Sequence, residues 1–156
     1  MGMAAVNRAY VDSRLAAVRD SLTRLRAMRD DLGAVVLPDA DRFAIAEHHL
    51  RRLLECALDV ARHILARDGT LKPATYPELM EGLARIGALP AGLAQRARDL
   101  AEQRNRLVHL GPEVTPDELC SLITGRIDCL HEYCKEIEDY LAGKDPEPPS
   151  PPPTGC

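Results

Sequence analysis

Long runs of apolar residues at alternating three- and four-residue spacing restrict this chain more than any other feature. From about Val6 to Leu32 the apolar positions include Leu15, Val18, Leu22, Leu25, Met28 and Leu32, and Gly33 follows them. That period puts them on one stripe of an α-helix, and a glycine just past the last member is a stop signal. A second run starts after Pro38-Asp39 and reaches Arg67, with Ile45, Leu50, Leu54, Ala57, Leu58, Ala61 and Leu65 on one arc and Asp68-Gly69 ending it. After a loop around Lys72-Pro73, Tyr76 to Ile86 reads as a short helix with Pro77 in its first turn and Gly87 closing it. Pro90 opens a fourth helix through Leu93, Ala97, Leu100, Ala101, Arg104 and Val108, which must stop by Gly111-Pro112. Thr115-Pro116-Asp117-Glu118 combines an N-cap, a proline at N1 and a carboxylate at N3 in a capping box, so a fifth helix runs from there to about Leu141.

Aromatic residues make up only 3% of the chain, with no Trp and a single Phe43, so the core must be built from Leu, Ala, Ile and Val. With few β-branched runs and many Arg, Glu and Leu residues, that bias favours helix over sheet. Four long amphipathic helices and one short one, joined by brief loops, predict an all-α fold: an antiparallel four-helix bundle with one extra short helix, spanning 1–142. Residues 143–156 carry Pro-Glu-Pro-Pro-Ser-Pro-Pro-Pro, which cannot pack a core. They read as a disordered or polyproline tail, either a bare stop or a docking segment.

The formal charge of −4 excludes a broad basic surface that coats nucleic acid by counterion release, so any RNA contact must be local. The scarcity of aromatics likewise excludes the stacking platforms of non-specific single-strand binders. Five cysteines, an odd number with no C-x-x-C pair, sit mostly within helical patterns as small hydrophobes and fit a reducing compartment. No apolar stretch reaches the length of a membrane span, and Asp12 with alternating charges occupies the place of a signal-peptide core. The expectation is a cytoplasmic protein with no membrane association.

Chemistry concentrates in Arg104-Asn105-Arg106-Leu107-Val108-His109, a dense polar cluster at the end of the fourth helix. Asn105 and His109 are four apart and share a face, whereas Arg104 lies about 140° round the helix from His109, so its side chain must curl or the last turn must distort. A histidine in the last turn sees exposed carbonyls that favour imidazolium, and it can give or take a proton near neutral pH. An arginine offers a permanently charged fork suited to a phosphate gaining charge. Together they suffice, without a metal or other cofactor, for attack of an RNA 2′-hydroxyl on the adjacent phosphate, leaving a 2′,3′-cyclic phosphate. In that chemistry Asn105 orients the histidine or the phosphate. A structural histidine in a bundle is the alternative.

That hexapeptide resembles the R-N-x-L-V-H signature of HepT-like HEPN proteins, in which an R-x4-6-H pattern marks a ribonuclease site. The stretch from Leu54 to Leu65 resembles the family's second helix. Tyr76-Pro77-Glu78-Leu79 with Ile86-Gly87-Ala88-Leu89-Pro90 resembles its short helix and turn, and the likeness runs from about residue 10 to 142. The resemblance implies Arg104 and His109 as catalytic residues, a homodimer with both motifs in a shared cleft, and pairing of a toxin with a nucleotidyltransferase antitoxin that adenylylates a tyrosine two residues after the histidine. This chain departs there: His109-Leu110-Gly111 lacks that tyrosine. The second reading is therefore a HEPN module that binds a nucleotide or a nucleotidyltransferase partner without useful catalysis.

Glu55, Asp59 and His63 lie four apart along the second helix. They form a metal-ligating stripe, a polar flank paired with Arg51 and Arg62, or, for Glu55 and Asp59, a support for Arg104. Adjacent His48 and His49 point about 100° apart and cannot share an ion. Arg96, Arg98 and Arg106 are candidates for local RNA binding, or else an ordinary charged helix face.

Overall fold

The computed structural model describes residues 6–32, 40–69, 75–108 and 116–144, with 31, 32, 40, 103–108, 116 and 144 described as helical backbone only. Six α-helices occupy them: α1 Arg8–Leu32, α2 Ala40–Asp68, α3 Tyr76–Arg85, α4 Ala91–Val108, α5 Pro116–Gly125 and α6 Cys129–Lys144, the last two joined by a 3-10 turn, Arg126–Asp128. No strand occurs among the described residues, and the fold is all-α.

The local signals that fall on described residues act as read, while Gly33, Pro38-Asp39, Lys72-Pro73 and Gly111-Pro112 lie outside them. Gly69 ends α2 at φ +77°, and Gly87 follows α3 at φ +83°, a left-handed conformation that side chains with a Cβ resist. At Gly87 the turn is complete: the N–H of Ala88 donates to the Leu83 carbonyl at 2.8 Å and that of Gly87 to Ala84 at 3.1 Å, the paired bonds of a Schellman ending. The start of α3 is closed by Glu78, whose carboxylate accepts the Thr75 N–H at 3.0 Å. Thr115, where the sequence places a similar box, lies outside the described residues.

Helix directions follow from the ion pairs. Ser21 and Asp20 on α1 meet His49 and Arg52 on α2, while Arg14 meets Asp59, so the two run antiparallel. Arg19 reaches Glu138 and Arg26 reaches Asp128, which sets α6 antiparallel to α1. Arg96 pairs with Glu132, and the groove beside it joins Asp99 to Gly125 and Asp128, so α4 runs against α6. The C-terminal end of α4 thus lies at the end of the bundle where α2 and α6 begin.

Between the helices lies an aliphatic core that includes Val11, Leu15, Val18, Leu22 and Leu25 of α1, Leu50, Leu53, Ala57 and Ile64 of α2, and Leu100, Leu119, Ile127 and Ile137. Tyr133 is its one fully buried aromatic, and its hydroxyl donates to the Ala57 carbonyl at 2.6 Å, tying α6 to α2. Ile45 departs from expectation: it is 50% exposed, and Ala46 and Leu50 take the buried side of that helix instead.

A larger correction concerns the fifth helix, read as continuous to Leu141. It breaks at Gly125, which sits at φ −148°, ψ −38°, off the helical basin. The Thr124 hydroxyl bonds back to the Cys120 carbonyl at 2.9 Å, closing the end of α5 on itself. Asp128 is then drawn to α1 by Arg26 at 2.9 Å and Arg29 at 3.2 Å. The far end, α6, extends to Lys144, slightly past the predicted start of the tail.

Close packing at one glycine supports a stability prediction. A Cβ on Gly82 of α3 would stand 2.9 Å from Leu65 Cδ1. Alanine there regains about 1 kcal/mol of helix propensity, which offsets much of the crowding. Valine adds two methyls to the same contact, and Gly82→Val is expected to destabilise by about 1–3 kcal/mol in urea unfolding, with Gly82→Ala near zero.

Candidate active site

The helix bearing the polar hexapeptide packs through Leu93, Ala97, Leu100 and Ala101, all buried. The backbone is helical through Val108, and Arg104 stands four residues after Leu100 and seven after Ala97, in register with that buried stripe. Asn105 follows on the flank of the stripe, and Arg106 falls on the opposite side of the helix. His109 comes one residue after the end of α4 and lies outside the described residues, as do Leu110 and Gly111.

Of the two candidate RNA-binding arginines with described side chains, both are paired. Arg96 meets Glu132 of α6 at 2.7 Å, and Arg98 meets Glu81 of α3, with Glu102 one turn on at 3.8 Å. Arg96 also lines a groove of about 320 Å³ between α4 and the α5–α6 break, together with Asp99, Arg126, Asp128 and Glu132. Its charges are mixed in sign, unlike a phosphate track.

On α2, Asp59 pairs with Arg62 at 3.4 Å and with Arg14 of α1 at 3.8 Å, the Arg62 pairing being the one read from sequence. Arg51 pairs with Glu47 at 2.6 Å. Glu55 is half-buried one turn before Asp59. His63, the third member of the stripe, uses Nε2 to accept the Asn7 N–H at 3.0 Å. Among the described residues no group of three or more His, Cys, Asp or Glu side chains could hold a metal ion. His49 lies 3.4 Å from the buried Ser21 hydroxyl, and burial, then His48, Arg24 and Arg52, hold its pKa below the ordinary imidazole value against the opposing pull of Asp20. Cys129 and Cys134 are buried thiols with pKa pushed up to about 11, inert as nucleophiles at neutral pH.

Sequence reasoning missed the Arg26–Asp128–Arg29 cluster, which anchors the turn between α5 and α6. Its signal was available on one side: Arg26 and Arg29 are three apart and share a face of α1. Burial raises the Asp128 pKa, but the bonds and charges of Arg26 and Arg29 outweigh it and hold the carboxyl below its usual range. A depressed folded pKa contributes stability above the unfolded value, near 4, that is lost as pH falls through the folded one. Asp128→Asn is therefore expected to flatten the acid limb of the stability curve. At neutral pH the loss should stay within about 1 kcal/mol, because an ion pair this exposed to solvent is screened; urea titrations from pH 7 to pH 3 read both.

A helical bundle with an Arg-Asn-x-Leu-Val-His run whose first five residues end one of its helices defines a class, and similarity to known proteins identifies it. This chain belongs to the HepT-like ribonuclease family, whose model, described as Ribonuclease HepT-like, matches residues 18–137. It is similar to the tRNA nuclease HepT of Aphanizomenon flos-aquae (strain 2012/KM1/D3), 24% identical over 131 residues that cover 84% of this chain and 89% of that protein. Its fold matches YutE, a cytosolic protein of unknown function from Bacillus subtilis, at TM-score 0.77 and 19% identity over 95% of this chain and 97% of that one. It also matches a chain from the structure of the tri-AMPylated Shewanella oneidensis HEPN toxin with its MNT antitoxin, at TM-score 0.74 and 17% identity over 83% and 97% of the two chains.

Proposed function

We propose that this protein is a metal-independent endoribonuclease of toxin type, acting in the cytoplasm as a homodimer on RNA. The observation that carries the proposal is the Arg104-Asn105-Arg106-Leu107-Val108-His109 run, which falls inside the family match and straddles the end of α4. His109 accepts the proton of the 2′-hydroxyl as that oxygen bonds to phosphorus, and a proton is returned to the departing 5′-oxygen as the P–O5′ bond breaks. Arg104 neutralises the charge gathering on the non-bridging oxygens, and Asn105 fixes the imidazole or the phosphate. Glu55 and Asp59 lie in the half of α2 nearer the start of α1, away from the end of α4, and take no part in this reading. Arg96, Arg98 and Arg106 add local positive potential, with Arg96 and Arg98 exchanging Glu132 and Glu81 for phosphate when RNA binds.

A nucleotidyltransferase of the MNT type is the partner this reading implies. With Gly111 where the family has tyrosine, neutralisation proceeds by complex formation. Gly111 is also the feature that favours the second reading, a HEPN module that binds such a partner or a nucleotide without cleaving RNA. Residues 1–142 are the functional domain in either case, with the proline-rich tail outside it.

The test is incubation of the purified protein with total tRNA and with messenger-length RNA in EDTA, with the product ends identified. Cleavage leaving 2′,3′-cyclic phosphates supports the nuclease. A folded dimer that cuts neither RNA and yet binds a nucleotidyltransferase supports the module.

A further inference from the structure

The start of α1 is closed differently from the start of α3. At α3 the N-cap N–H of Thr75 is accepted by Glu78 from within the same helix. At α1 the N-cap is Asn7: its side-chain oxygen accepts the Tyr10 N–H at 3.0 Å and its carbonyl accepts Val11 at 3.0 Å. The residue three places on is Tyr10, whose side chain cannot turn back as a carboxylate does, so the Asn7 N–H has no acceptor of its own in the helix. His63 of α2, 56 positions away, supplies it through Nε2 at 3.0 Å, with its ring tilted against Tyr10 at a centroid distance of 5.0 Å.

A backbone N–H can only donate, so the bond requires Nε2 to carry a lone pair and fixes the proton of the neutral ring on Nδ1. Protonation puts N–H against N–H and turns the contact repulsive. We propose that His63 is a proton-sensitive cap in trans for α1, holding the first turn closed while its imidazole is neutral and releasing it on acidification.

The surroundings of the ring agree. From α1 it faces the Tyr10 ring, over which Arg14 sits at 5.2 Å while also meeting Asp59. Arg8, next to Asn7, is within electrostatic reach of Glu138 on α6. On α2 itself Asp59 and Arg67 flank His63 one turn either side, with Arg62 adjacent. Asp59, the one carboxylate among these α2 neighbours, is engaged by Arg14 and Arg62. Burial first, and Arg67 second, hold the His63 pKa below the ordinary imidazole value. The sign follows: a depressed folded pKa means that the unfolded chain binds the proton more tightly. The cap then contributes fully above the ordinary value, near 6.5, and is lost as pH falls through the lower folded one.

The test is NMR on the full chain. The ring-nitrogen shifts of His63 at pH 7.5 should show the Nδ1–H tautomer; a proton on Nε2 overturns the proposal without any variant. Amide protection at Asn7, relative to the intrinsic exchange rate, should fall by about tenfold per pH unit once His63 titrates, with Tyr10 and Val11 following. His63→Gln, whose amide oxygen accepts without titrating, should hold that protection level between pH 7.5 and 5, and His63→Leu should show low protection at both. A wild-type protection factor that does not change as His63 protonates, or the same fall in His63→Gln, rejects the assignment.

Discussion

His109→Ala is expected to lower RNA cleavage by about 10²–10⁴-fold, the span a positioned general acid–base contributes, while leaving the melting temperature within a degree or two. Arg104→Ala should lose a comparable amount, because a charged fork on a phosphate acts mainly where charge develops. The two losses should not add: the double variant should fall little below the worse single one, as residues acting on one transition state behave as a unit. Arg104→Lys separates the possible roles. A retained charge with lost bidentate geometry should recover only part of the rate if Arg104 clamps the phosphate in two places. Initial rates with a labelled RNA in EDTA check all four proteins. Single variants that cleave at the wild-type rate would remove the hexapeptide from the mechanism. Because Arg104 stands in register with Leu100 and Ala97, its stability effect should be measured separately by urea unfolding.

Tyr133→Ala carries the largest expected stability effect, about 3–5 kcal/mol, since it removes the largest fully buried side chain from a core with no other buried aromatic to fill the space. Tyr133→Phe separates shape from the hydrogen bond. The Ala57 carbonyl lies inside α2, where the helical ladder also uses it, so losing the hydroxyl should cost only about 0.5–1.5 kcal/mol. Chemical denaturation of the two variants beside wild type gives the ratio directly. A phenylalanine variant as damaged as the alanine one would mean that the bond, and not the ring, holds α6 against α2.

The helices were legible wherever the apolar phase, a cap or a glycine spoke together, as at Gly69, Gly87 and Pro90. The break between α5 and α6 was hidden because the phase does not change there. Leu119, Ile123, Ile127, Leu130, Cys134, Ile137 and Leu141 keep three- and four-residue spacing straight through it. A short 3-10 turn preserves the buried face, so periodicity alone cannot report the break. Only Gly125, with Thr124 beside it, carried a hint. Ile45 misled for the opposite reason, since it lies near the edge of an arc whose centre is set by Ala46 and Leu50.

Partnerships across the bundle were the least readable part. The acceptors of Arg96 and Arg98 lie 36 and 17 positions away, and nothing local distinguishes a paired arginine from a free one. The Arg104 to His109 cluster could be picked out as a polar run in an apolar helix whose residue types permit the chemistry, but spacing alone favours a structural histidine, and it is likeness to a family pattern that favours the catalytic one.

The burial of Tyr133 also gives the protein an optical gauge of its own. With no tryptophan to dominate the spectrum, the near-ultraviolet signal comes mainly from four tyrosines, and Tyr10, Tyr76 and Tyr140 are only partly buried at the edge of the core. A sharp circular-dichroism band near 280 nm, about the usual tyrosine position, would therefore report chiefly on the fully buried ring between α2 and α6. Its disappearance with helical content intact would mark the passage from a packed interior to a fluid one.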